Sequence, residues 1–112
     1  MPVLHLKIDP EVVDEPVPNL PFAVRREFVT MQSFDVQRAT GGGAVALPTT
    51  GITTLQALVL QSDKAVTVAM GNISLEAGGM IVVYGGTPAT SPPTVTNASG
   101  STATVRGIAL GT

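Results

Sequence analysis

The side chains able to do chemistry are few. His5 is the single histidine among 112 residues, and the chain has no cysteine and no tryptophan. A nucleophile–histidine–carboxylate relay needs that histidine as its base. It stands instead between Leu4 and Leu6 with no nucleophile motif beside it, and reads as an ordinary surface or interface histidine. Asp9, Glu11, Asp14 and Glu15 form an acidic cluster. Oxygen ligands of this kind bind Ca²⁺, but the spacing of a calcium loop is missing and Pro10 and Pro16 interrupt the run. The cluster reads as a solvated tether, or as one that pairs with basic residues of a partner. Two carboxylates also suit a glycosidase acid and base, yet beyond the N-terminal region only Tyr84 offers an aromatic platform of the kind that holds a sugar.

Other motifs dissolve in the same way. Gly41-Gly42-Gly43 has no Lys-Ser/Thr after it, so it is a hinge rather than a phosphate loop. Arg25-Arg26 beside Glu27 is a charged face. Asn72-Ile73-Ser74 and Asn97-Ala98-Ser99 fit the glycosylation acceptor pattern. The first residues lack a basic head followed by an apolar core, so no secretory leader is expected and both matches fall to chance in turns. The expectation is a non-enzymatic protein with no catalytic residue, no metal ligand set and no cofactor.

Composition points the same way. Charged residues are only 12% of the chain, against a typical quarter, and the formal net charge is −2. A basic nucleic-acid surface is therefore not expected, and no apolar run approaches the ~20 residues of a spanning helix. The charges are also segregated. Residues 1–38 hold ten of the fourteen, and five of the nine prolines fall before residue 22. The chain divides on this basis into an extended, proline-rich N-terminal arm, residues 1–38, and a nearly neutral body, residues 39–112.

Within the arm, Leu4, Leu6 and Ile8 share one parity, as on one face of a strand. The prolines from Pro10 to Pro21 forbid a continuous helix or ladder. Leu20, Val24, Phe28 and Met31 fit helical spacing with Asn19 as a cap, while 32–38 suits a strand, which leaves 22–31 open. The body alternates strands and turns. Residues 53–61 and 80–84 are apolar on both parities, as in strands buried on both faces. Val66, Val68 and Met70 share a face, and Ile73 and Leu75 are expected inward. Residues 94–96 and 101–110 read as a hairpin around Asn97–Gly100, with a bulge at Gly107 turning both Val105 and Ile108 inward. Turn signals every 8–12 residues or so indicate an all-β sandwich of jelly-roll type.

The runs TTLQALVLQSDKAVTV (53–68), NISLEAGGMIVVYGG (72–86) and TVTNASGSTATVRGIALGT (94–112) resemble small β-domains of tailed-bacteriophage virion proteins. The resemblance covers about residues 50–112 and is carried by hairpin chemistry. It implies capsid decoration (cement) or another minor head or tail role, and assigns no functional residue.

A physical argument joins the resemblance. Four charged residues among 74 do not dress the outside of a free monomer in the usual way. Symmetric association, as a dimer or trimer, or docking on a lattice would cover the remaining apolar surface. The expected self-association residues are Leu58, Leu60, Ile81 and Val83. The expected partner-binding residues are those of the arm: Leu4, Leu6, Ile8, Asp9, Glu11, Asp14 and Glu15. The partner would be the major capsid protein or another virion protein, with no nucleic acid and no membrane, in a virion assembled from chains made in a host cytoplasm. The alternative is a small β-module of a phage tail or fibre that binds a receptor, a carbohydrate or another tail protein.

Overall fold

The computed structural model of the chain describes residues 1–8, 22–49, 51–69, 73–85 and 92–112. The described residues form strands and turns without a helix. Four antiparallel pairs nest inside one another. β3 (Thr30–Arg38) pairs with β10 (Ala103–Gly111), β4 (Ala44–Ala46) with β9 (Thr94–Thr96), β5 (Leu55–Ser62) with β8 (Met80–Tyr84), and β6 (Val66–Val68) with β7 (Ile73–Leu75). Two further pairings, β10 with β5 and β9 with β6, roll this nested hairpin into two sheets. Their orders are β3-β10-β5-β8 and β4-β9-β6-β7. The chain is an all-β sandwich with the strand order of a jelly roll.

The core lies between the sheets. Phe34, Leu58, Leu60, Ala103, Val105 and Ala109 from the first sheet meet Val66, Val68 and Val95 from the second, with Leu47 and Ile52 from connecting segments. Burying each large aliphatic side chain contributes roughly 1.5–3 kcal/mol. β5 is apolar on both parities because both of its faces are covered: Leu58 and Leu60 face the sandwich core, and Ala57 faces a second, smaller cluster with Leu4, Phe28 and Leu110. That second cluster sits under a separate hairpin, β1 (Val3–Ile8) paired with β2 (Phe22–Glu27).

Four expectations need correction. Residues 94–96 and 101–110 do not form a hairpin: β9 belongs to one sheet and β10 to the other, so the segment between them crosses the sandwich edge. Asn97 makes that crossing possible. Its Nδ2 donates to the carbonyl oxygens of Arg38 at 2.7 Å and Ser101 at 2.8 Å, and its Oδ1 accepts from the Ser99 amide at 3.0 Å.

Nor is there a bulge at Gly107. β10 keeps unbroken register with β3 from Ala103 to Gly111, so Val105 faces the core and Ile108 the opposite side. The irregularity falls instead on β5, where the register slips between the partners of Leu110 and Gly111 and Leu55 rejoins the core. Gly107 is glycine for a different reason: a Cβ there would run into the Val59 carbonyl oxygen and lie 3.0 Å from the tip of the Phe34 ring.

The boundary at residue 38 is not a structural one. β3, although rich in the charge and polarity of the N-terminal region, pairs along its whole length with β10. The open question over 22–31 resolves as strand, since β2 and the start of β3 occupy it. Ile73, expected inward, is 39% exposed because β7 is a three-residue edge strand. The proline-rich tether at 9–21, and Met70, lie outside the described residues.

Candidate interaction surface

The N-terminal hairpin is a two-stranded sheet of its own, outside the two sheets of the sandwich. Its strands run Val3↔Glu27, Leu4↔Arg26, His5↔Arg25, Leu6↔Val24, Lys7↔Ala23 and Ile8↔Phe22. Strand alternation then sorts the side chains. Leu4, Leu6, Ile8, Phe22, Val24 and Arg26 share one face, while Val3, His5, Lys7, Ala23, Arg25 and Glu27 share the other.

The apolar face is anchored at one end only. Leu4 is buried against Phe28, Ala57 and Leu110, and Leu6 is half-buried on the same cluster. The Phe28 amide donates to the Pro2 carbonyl oxygen at 2.9 Å, which ties the start of β1 to the end of β2. The Arg26 guanidinium lies 5.0 Å over the Phe28 ring, a cation–π contact at the same anchor. Burial then fades along the hairpin. At its far end the pair Ile8 and Phe22 is 40% and 57% exposed.

The opposite face is charged, with Lys7 and Arg25 beside an exposed Glu27. His5, Lys7 and Arg25 are all exposed, and His5 sits directly across from Arg25. Cross-strand neighbours of this kind bring their Cβ atoms within ~5 Å. One hairpin thus presents an apolar end and a face of mixed charge.

The sequence-derived residues divide three ways. Of the arm, Ile8 is exposed, Leu6 is half-buried, and Leu4 is committed to the chain's own second cluster, so Leu4 cannot serve a partner without leaving the body. Asp9, Glu11, Asp14 and Glu15 lie outside the described residues. The side chains of Leu58, Leu60, Ile81 and Val83 do not form an exposed self-association face: the first three are buried in the sandwich core and Val83 packs against it. β5 is apolar on both parities because the fold's own layers lie on both of its faces, whereas β8, expected to be buried on both faces, is covered only on its inner one: Met80 and Tyr84 on its outer face are 58% and 37% exposed. Gly41 and Gly43 adopt φ of 77° and 72° between β3 and β4, where the chain passes from one sheet to the other.

Sequence reasoning missed Phe22, whose exposure follows only once its partner Ile8 and the one-ended anchor are known. It also missed the outer face of the first sheet, where Ile108, Val59 and Val82 align across β10, β5 and β8. Plain alternation of Arg106, Ile108 and Leu110 would have revealed that face, had Gly107 not been read as a bulge.

Among the described residues no group of three His, Cys, Asp or Glu side chains is placed to hold a metal ion. The one ion pair among them, Arg106 with Asp35 at 4.0 Å, is a solvent-exposed contact on the outer sheet face. No protein-family model, curated protein or solved structure matches the chain.

Proposed function

We propose that this chain is a non-enzymatic virion structural protein, a capsid decoration protein that binds and stabilises neighbouring capsid subunits through its N-terminal hairpin. The observation that carries the reading is the one-ended anchoring of that hairpin, with Ile8 and Phe22 paired and exposed at its outer end. An isolated two-stranded hairpin is marginal in water. Fixing one end on the sandwich orders the strands before any partner arrives and lowers the ordering cost of docking. The jelly-roll order and the resemblance of residues 50–112 to phage virion β-domains support the same reading. The fold also builds lectin and cupin domains, so the argument rests on the hairpin rather than on the fold.

The partner is the major capsid protein or another virion protein. The test is direct. Full-length protein is added to capsids purified without it, and binding is compared with the I8S/F22S variant. Wild type should sediment with capsids, and the variant should bind at least about tenfold more weakly, since two half-exposed apolar anchors are removed. Equal binding by both, or no binding by wild type, rejects the reading. Recovery of the chain in isolated tails and not in heads selects the competing role of a tail or fibre module.

A further inference from the structure

The first sheet ends in two edges, and they are not alike. β3 is long, but Asp35 and Arg38 sit on it. The edges of the second sheet, β4 and β7, are three residues each. Charges and shortness are the usual devices that stop an edge from pairing with another chain. β8 has neither. It is Met80-Ile81-Val82-Val83-Tyr84, five residues with no charge, no proline and unbroken register against β5. Among the described residues, no backbone group outside β5 hydrogen-bonds to it.

The order of residues along β8 fits one occupant. We propose that β8 pairs antiparallel with β8 of a second copy of this chain, about a twofold axis at Val82, joining the two four-stranded sheets into one of eight strands. In that register Met80 lies across from Tyr84 of the second copy, Ile81 across from Val83, and Val82 across from Val82. Met80 and Tyr84 are 58% and 37% exposed on the outer face of the sheet, and the pairing sets each thioether against an aromatic ring, a favourable contact. Ile81 and Val83 already face the core, so β-branched side chains continue the inner layer across the axis. No like charges meet. The pairing uses up the edge that is open among the described residues and leaves β3 outermost on both sides, which closes the assembly at two copies. The interface is a short strand pair, of the weak or transient class. This inference stands apart from the capsid reading: a monomeric protein could still bind capsids, and a dimer could fail to.

The absence of cysteine makes the register testable in the full chain. Val82→Cys and Met80→Cys are each oxidised mildly at about 100 μM, a concentration chosen for a weak dimer. V82C should cross-link into a covalent dimer, because residues across the axis fall within disulfide reach. M80C should not, because the two copies of position 80 are separated by ~13 Å along the ladder. Equal cross-linking of both, or none of V82C, overturns the proposal. A second experiment keeps it falsifiable should a cysteine perturb the strand. V82K and V82E are examined by sedimentation, alone and mixed in equal amounts. Each alone should associate at least about tenfold more weakly than wild type, because like charges oppose at the axis, and the mixture should pair as Lys against Glu. Wild type remaining monomeric, variants associating as wild type does, or a mixture that stays monomeric each overturns the proposal.

Discussion

The Asn97 side chain, 2% exposed, donates from Nδ2 to the carbonyl oxygen of Arg38 at 2.7 Å, joining residues 59 apart in sequence. Arg38 ends β3 and Asn97 follows β9, so this bond links strands of different sheets. The same nitrogen also satisfies Ser101 just before β10. One amide therefore fixes the place where the chain leaves one sheet and enters the other. The neighbouring Gly41 amide adds a bond to the Asn97 carbonyl oxygen at 3.2 Å.

Replacing Asn97 by Ala should cost about 2–3 kcal/mol, because two carbonyl oxygens lose their donor at a buried site. Urea unfolding should show a lower midpoint with an unchanged slope. Asn97→Asp keeps the acceptor for the Ser99 amide but sets a carboxylate against those two oxygens. Its folded-state pKa should rise above the unfolded value. The variant should therefore be destabilised at pH 7 and regain stability as pH falls toward the ordinary carboxylate range.

Gly107 tests the corrected reading of β10. A methyl group there collides with the Val59 carbonyl oxygen and crowds the Phe34 ring. Gly107→Ala should destabilise by roughly 1–3 kcal/mol through overpacking. Gly42→Ala is the control. Its added Cβ would meet only the Ala39 oxygen at 3.8 Å, and its φ is not in the left-handed range, so thermal unfolding should shift little or slightly upward.

The fold class was legible because turn residues recur at strand spacing and no segment of the body keeps a helical period. The nested pairing was not, because a turn signal such as Asn97–Gly100 marks a change of direction and does not say whether the chain stays in its sheet. Two-sided apolarity in 53–61 correctly marked a strand covered on both faces. It is silent on what covers it: apolar parity does not distinguish a partner from the second sheet, against which Leu58 and Leu60 pack. The charge boundary at residue 38 misled for a related reason. The outward residues Ser33, Asp35 and Gln37 of β3 are polar although the strand belongs to the sandwich.

Leu58 and Leu60 now carry an opposite expectation. Leu60→Ala should cost about 2–5 kcal/mol of folding stability, the range for a fully buried leucine, without altering the sedimentation behaviour of the folded fraction. Leu58→Asp should abolish folding, since a buried unpaired carboxylate costs several kcal/mol or more. A folded Leu58→Asp monomer would show that position 58 belongs to an interface after all.

Phe28 decides whether the hairpin and the sandwich are separable. It is 2% exposed, yet its cluster is small: Leu4, Ala57 and Leu110, with Leu6 and Ile108 at the margin. Phe28→Ala removes the anchor ring, the platform for Arg26, and much of the cover over Ala57 and Leu110. The nested core does not use Phe28. Hydrogen exchange should therefore show amides of β1 and β2 losing protection toward that of an isolated hairpin, while amides of β5 and β10 retain most of theirs. Global unfolding should fall by no more than about 3–5 kcal/mol, the range for a buried phenylalanine truncated to alanine. Uniform loss of protection across both regions would mean that hairpin and sandwich unfold as one unit, and that the hairpin cannot move toward a partner without unfolding the body.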